Sequence, residues 1–344
     1  MSEAFGQNGH DVTLYGVHGP EAADPFVHYG LEETFKLQRV KLVGGHRAAA
    51  SRALALTLAS VFRDARPDVV YARESRFLIG CAPLGAKLVC EAHSLQDRFA
   101  KRSARRALFA LPNFARLVTI SQALADDYLE AFPELDPSKV VVAHDGAVPA
   151  HEVPPRANWK GRPGALQVGY VGGLYKGRGV EVLLEVARAL PEIDLHIVGG
   201  QPEQIEAFRA EASENVTFHG FVPHAEVASF YPRLDVLTAP FQDRVSIHGG
   251  GGDTRRWMSP LKVFEYMASG KAIVITDIPV LREVLTHEET AYLVADGHAG
   301  TWIEAIRRLA EDHALRASIG EAALSLFTSE YTWTRRAERV LAGL

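Results

Sequence analysis

Val168-Gly169-Tyr170-Val171-Gly172-Gly173-Leu174-Tyr175-Lys176-Gly177-Arg178-Gly179 reads as a β-strand that ends in a glycine pair, crosses a basic glycine-rich loop and opens into a helix at Val180. Strand, glycine turn and helix in that order form the repeating unit of a doubly wound parallel sheet, whose ligands sit at the carboxyl ends of the strands. The glycines let backbone come close to a ligand, and Arg178 can clamp phosphate oxygens with two N–H groups. Glycines do not fall at i, i+2 and i+5, so this is not the dinucleotide fingerprint. A tight turn with solvated basic residues accounts for the same letters, and taken alone the loop favours that simpler account.

Outward from this stretch the strand–helix rhythm continues. Leu166–Val171, Leu195–Val198, Val216–His219, Val236–Ala239 and Ala272–Thr276 read as strands, with a helix at Ala299–Asp312 and a closing helical segment at Tyr331–Leu344. The earlier half gives strands at Val12–Tyr15, Leu37–Val43, Asp68–Ala72, Lys87–Ala92, Leu117–Ile120 and Lys139–Ala143. Helices are expected at Ala48–Ala65 and at Gln122–Phe132, the latter N-capped by Ser121. The segment Val148–Pro163 carries four prolines and one glycine with little periodicity and reads as the interdomain linker. The expected fold is therefore α/β, with two doubly wound Rossmann-like domains facing a cleft, over residues 1–155 and 160–328, and residues 331–344 able to pack back on the first.

The chain opens with MSEAFGQNGHDVTLY, the end of an amphipathic helix, a glycine cap at Gly9 and then a strand. A domain that begins in mid-helix is expected to lack the strand and loop ahead of that helix, which leaves neighbouring strands unpaired on their inner edges.

Composition bounds the chemistry. The 344 residues carry 37 Lys and Arg against 42 Asp and Glu, a formal charge of −5; residues 1–150 hold 17 of each sign, leaving 20 against 25 in the rest. That distribution gives no electrostatic footprint for general nucleic-acid binding. No apolar run reaches about 18 residues, and no secretory signal opens the chain, so a cytoplasmic protein is expected. Cys81 and Cys90 make neither a zinc set nor a disulfide framework. The 14 histidines show no HExxH spacing, and neither an Asp-x-Asp triplet, a GxSxG elbow nor a Walker loop occurs.

The strongest constellation is Ser259-Pro260-Leu261-Lys262-Val263-Phe264-Glu265-Tyr266-Met267-Ala268-Ser269-Gly270. Ser at the N-cap and Pro at the first position start a helix well, and the amides of Leu261 and Lys262 are then free to meet a phosphate. Lys262 would stand beside that anion, and Glu265 would reach a sugar hydroxyl one turn along. An ordinary amphipathic helix with an exposed Lys262–Glu265 pair fits equally well. His93, just past the strand Lys87–Ala92, can bond a phosphate or hydroxyl, although a histidine at a strand end is more often structural. Gly249–Gly252 and Asp253 form a loop over the site or a plain connection. Arg98, Lys101, Arg102, Arg105 and Arg106 recur at helical spacing, either as a solvated face or as a contact for an anionic membrane or acceptor.

In sequence order these pieces resemble the family 4-like, group 1 glycosyltransferases of the GT-B fold. The resemblance rests on Gly169–Leu184 (GYVGGLYKGRGVEVLL), Leu195–Gly200 (LHIVGG), Val216–Pro223 (VTFHGFVP), Leu234–Pro240 (LDVLTAP) and Ser259–Leu285 (SPLKVFEYMASGKAIVITDIPVLREVL), with Val118–Ser121 and Val140–Gly146 in the first half. It implies a retaining transferase that moves a sugar from a nucleotide-diphosphate donor to a glycan, polysaccharide or lipid-linked acceptor, with no resident cofactor and no metal. It also implies roles for single residues. Glu265 would contact the donor ribose, the amides after Ser259 and the Gly172–Gly173 backbone would face the diphosphate, and Gly199, Phe221 and Val222 would border the base. Arg178 and Lys262 would neutralise the leaving diphosphate, and His93 would lie near the transferred sugar.

Two positions depart from the family pattern. Trp257 stands where the first Glu of a pair is expected, so that contact falls to Asp253 or is absent, and Gly173 stands where an Arg is expected, leaving Arg178 and Lys176. Two other readings share these features: a non-catalytic donor-binding homologue or partner subunit, and a sugar-nucleotide epimerase, for which no convincing carboxylate pair is present.

Overall fold

The computed structural model describes residues 1–17, 24, 26, 30–40, 66–95, 99–149, 155–245, 253–295 and 298–344. The expected helix 48–65, residues 41–43 of an expected strand, Arg98 and Gly249–Gly252 lie outside the described residues. The chain divides into two units, Met1–His144 with Trp333–Leu344, and Asp145–Thr332.

In the first unit, the strands β1 (Thr13–Val17) and β2 (Lys36–Val40) form a short parallel pair. A separate parallel sheet holds β3 (Val69–Ala72), β4 (Lys87–Ala92), β5 (Phe114–Thr119) and β6 (Val140–Val142), in that order. Among the described residues, β1 pairs only with β2 and β3 only with β4. One face of the four-stranded sheet is covered by both ends of the chain. Phe5 of the helix Ser2–Gln7 meets the Tyr71 ring edge-on at 5.6 Å, and Ala337 and Val340 of the helix Trp333–Leu341 pack with Val89 and Val118.

Six parallel strands make the sheet of the second unit: β7 (Gln167–Val171), β8 (Asp194–Val198), β9 (Val216–Gly220), β10 (Val236–Ala239), β11 (Ala272–Thr276) and β12 (Tyr292–Val294). Their order is β12-β11-β10-β7-β8-β9. The order reverses between β7 and β10, which puts a switch point, the usual place for a ligand, at the carboxyl ends of those two strands. Strands β7, β8, β10 and β11 are buried along their whole length, as a parallel sheet covered on both faces requires. Leu183, Leu184 and Val186 of the helix Val180–Ala189 pack in the same core as Trp302, Ile306 and Leu309.

Three details differ from the sequence expectation. Strand β12, three residues long, went unread. The helix expected to begin at Pro260 behind a Ser259 cap begins one residue later, at Leu261, with Pro260 in the N-cap position. The Ser259 hydroxyl instead accepts the Asp145 N–H at 2.8 Å. Finally, residues 155–163 are docked on the second unit: Trp159 stacks on His196 at 4.0 Å, and Arg162 pairs with Asp194 at 2.7 Å. By contrast, Ser121 caps its helix as expected, accepting the Leu124 N–H.

Candidate functional site

The candidate site is built at the switch point of the second unit. Strand β7 ends at Val171, and the chain turns through Gly172 at φ 144°. That φ favours glycine, and a Cβ there would lie 2.8 Å from the Lys262 ammonium and push it aside. Gly199 lies across from it: at φ 118°, its Cβ would sit 2.3 Å from the Gly172 carbonyl oxygen. The Tyr170 hydroxyl donates to the Gly173 carbonyl at 2.8 Å and ties the loop to its own strand.

The helix Leu261–Ala268 is pinned against these strands by Tyr266. Its buried hydroxyl accepts the Val171 N–H at 2.9 Å and lies 3.2 and 3.3 Å from the Val171 and Thr238 carbonyls. Burial, first of all, pushes the Tyr266 pKa well up, which keeps the phenol neutral and able to donate. At the helix mouth, Pro260 has no N–H, and the first internal bond is Val263 N–H to the Pro260 carbonyl at 2.9 Å. The amides of Leu261 and Lys262 therefore precede the internal ladder and point out of the helix end, where the dipole favours an anion.

Lys262 dominates the electrostatics. Its ammonium sits 3.9 Å from the centre of the Tyr170 ring and 5.8 Å from that of Phe241. The Nζ is buried and, among the described residues, donates no hydrogen bond, to Glu265 or to any other group, so the ordinary surface ion pair is not formed. Burial, and then the charge of Arg178, push its pKa well below the usual lysine value, with Glu265 pulling the other way. Arg178 shares the same aromatic wall, its guanidinium 5.4 Å from the Phe241 ring centre. Two cations held this close, one without a donor contact, make a place where an incoming anion relieves both repulsion and desolvation.

The remaining expected residues lie on the same edge of the sheet. Glu265 accepts a hydrogen bond from the Tyr231 hydroxyl at 3.3 Å. Phe221, 66% exposed, and the half-buried Val222 follow β9, and Leu261 is 48% exposed at the helix start. Lys176 is exposed. Asp253 does not reach outward as a substitute carboxylate: its Oδ1 accepts the N–H groups of Val245 and Arg255 at 3.1 and 3.0 Å and braces its own loop.

In the first unit, His93 follows β4 and is bound through Nε2 to Glu91. The basic helix Phe99–Phe109 is largely engaged within its own unit. Arg102 donates to the Ala131 carbonyl, Arg105 to the Ser94 carbonyl while lying over the Tyr128 ring, and Arg106 pairs with Glu134 at 2.9 Å. Among the described residues, no helix is long and apolar enough to cross a membrane.

Sequence reading missed Tyr170, Phe241 and Tyr266 as site builders. Tyr170 stood inside the quoted loop, but nothing in a one-dimensional pattern puts its ring beneath a lysine 92 positions away.

Residues 165–312 match the family model described as Glycosyl transferases group 1, and residues 1–150 match Glycosyltransferase Family 4. The D-inositol 3-phosphate glycosyltransferase of Paenarthrobacter aurescens is 25% identical over 240 residues, covering 65% of this chain and 55% of that protein. The alpha-maltose-1-phosphate synthase of Mycobacterium tuberculosis is 26% identical over 254 residues, covering 65% and 61%. The match thus spans little more than half the length of these curated relatives. Among solved structures, a glycosyltransferase from Rickettsia africae superposes with a TM-score of 0.75 at 14% identity, covering 99% of this chain and 94% of that one. HepE from Anabaena, solved with UDP and glucose, gives 0.62 at 16% identity, covering 90% and 87%.

Proposed function

The chain belongs to the group 1, family 4 glycosyltransferases of the GT-B fold, and from that premise we propose that it moves a sugar from a nucleotide-diphosphate donor to a glycan, polysaccharide or lipid-linked acceptor. The observation that carries this reading is the buried Lys262 ammonium, without a hydrogen-bond partner among the described residues, beside Arg178 and the open mouth of the Leu261–Ala268 helix. A diphosphate supplies the acceptor atoms that this arrangement lacks. The Leu261 and Lys262 amides and the Gly172–Gly173 backbone would take its oxygens, Glu265 the ribose hydroxyls, and Phe221, Val222 and Gly199 the base.

The chemistry we propose is retaining and needs neither a metal nor a resident cofactor. The bond from the anomeric carbon to the diphosphate breaks, the acceptor oxygen attacks on the same face, and its proton passes to the departing phosphate oxygen. No side-chain base is then required. Arg178 and Lys262 stabilise the charge that grows on the leaving group, and catalysis is positioning plus that stabilisation. His93 would meet the transferred sugar from the first unit, and the basic helix Phe99–Phe109 is where an anionic acceptor or membrane surface would be met.

Trp257, together with an Asp253 already committed to its loop, supports a second reading in which the chain binds donor without turnover. Incubating the protein with a panel of nucleotide sugars and acceptors, and following product and anomer by NMR, separates the two. Transfer with retained configuration supports the enzyme. Donor binding with neither transfer nor hydrolysis supports the binding homologue.

A further inference from the structure

Strand period places Val89, Glu91 and His93 on one face of the first unit's sheet, and Val89 shows which face that is: it packs with Ala337 and Val340 of the chain's last helix. A carboxylate on that face enters an apolar layer. Glu91 is 3% exposed there, and Arg336 of the same last helix is 2% exposed. The two form a buried ion pair at 3.2 Å through Glu91 Oε2. Arg336 Nε also donates to the His144 carbonyl at 2.9 Å, which anchors the guanidinium at the end of β6. The other carboxylate oxygen, Oε1, takes His93 Nε2 and, at 3.2 Å, the exposed Arg73. Burial works against the charge on Glu91, and the bonds from His93 and Arg336 more than offset it, so the carboxyl is held below its ordinary pKa.

A buried pair of this kind gives little net stability over apolar residues of the same size, so its presence calls for another reason. The side chain of His93 is 32% exposed, and the pair fixes its orientation. We propose that Glu91 and Arg336 are positioning residues for His93, holding the imidazole with its proton on Nε2 so that Nδ1 presents a lone pair to a sugar hydroxyl. The chain's last helix is then part of the acceptor-side machinery. A ring held this way accepts a hydrogen bond and selects a hydroxyl over a phosphate oxygen, which has no proton to give. The inference rests on the transferase reading for the identity of that hydroxyl, but not for the state of the ring.

The ring state is read directly from the 15N shifts of His93 in the full chain, with no donor present. The Nε2–H form of the neutral ring is expected, and Glu91→Gln should mix in the Nδ1–H form. A neutral His93 already in the Nδ1–H form in the wild type would overturn the proposal. With a working donor and acceptor, Glu91→Gln should lower kcat by about tenfold with little change in donor KM, as loss of orientation does. In a His93→Gln background the same change should cost less than about twofold, because the two act as one unit. Full multiplication of the two losses would contradict the proposal. Should Glu91→Gln fold poorly, Arg336→Lys, which keeps the charge, serves in its place: the Nε2–H signature should persist, and its loss with the fold intact would also overturn the proposal. If no nucleotide sugar is turned over by the wild type, the transferase reading falls while the 15N measurement still decides this one.

Discussion

An ammonium group buried over a phenol ring without a hydrogen bond is costly for an unliganded protein, and among the described residues Lys262 is in that position. Its replacement therefore separates stability from binding. Lys262→Met should leave the melting temperature equal or higher, since a buried unpaired charge is removed, while weakening nucleoside diphosphate binding by about 1–3 kcal/mol. Melting curves and calorimetry on the same variant check both halves. The depressed pKa of Lys262 has a second consequence. An anion at the site favours the charged form, so binding should be linked to proton uptake wherever the free amine is partly deprotonated, and the observed enthalpy should then vary with the ionisation enthalpy of the buffer. A buffer-independent enthalpy throughout the alkaline range would remove Lys262 from contact with the ligand. Arg178→Ala should lower turnover at least as much as affinity, because leaving-group charge grows in the transition state. Normal turnover would exclude it from the mechanism. At this scale the sequence was informative about residue types and silent about surroundings. Lys262, Arg178 and Glu265 could be singled out as candidates for an anion site, but the Tyr170 and Phe241 rings that lie against the lysine, and the Arg336 that reaches Glu91 across 245 positions, depend on packing that no local pattern encodes.

Among the elements, the strands that fill the second unit were legible because buried parallel strands read as continuous apolar runs flanked by turn residues. Two places resisted that logic. Ser259 had the residue type of a cap, but the Asp145 amide takes its hydroxyl, and the helix starts one residue after Pro260. The proline-rich stretch before β7 looked unstructured, yet Trp159 stacks on both His196 and His219 and donates to Gln167 at 3.0 Å, while His196 bonds His219 at 3.0 Å and Gln167 at 2.9 Å. This cluster carries its own prediction. Burial, the first cause in each case, lowers both histidines from 6.5 to about 4; His219 also lowers His196, and Arg156 and Lys160 lower His219, while Asp194 opposes the shift at His196. Between those pH values the unfolded chain binds protons that the folded unit refuses. The stabilisation is fully present above about pH 6.5 and falls away as pH drops towards 4. Melting temperatures across that range should fall steeply for the wild type and less steeply for His219→Gln; parallel curves would show that the pair does not set the acid response.

At the scale of the whole molecule, the doubly wound organisation followed from strand–helix alternation, and the strand order of the second unit, β12-β11-β10-β7-β8-β9, places its reversal where the glycine loop and the Leu261–Ala268 helix meet. The first unit was harder to read, because its described strands fall into two sheets. The central claim is that the second unit holds a nucleoside diphosphate sugar between Lys262, Arg178 and Glu265. Calorimetric titration of the purified chain with nucleotide sugars of each base, repeated on Glu265→Ala, tests it most directly. Saturable binding of at least one donor is expected, weakened by about 1–3 kcal/mol in the variant through loss of a charge-assisted hydrogen bond. Absence of binding by every nucleotide sugar, or an affinity unchanged by Glu265→Ala, would contradict it.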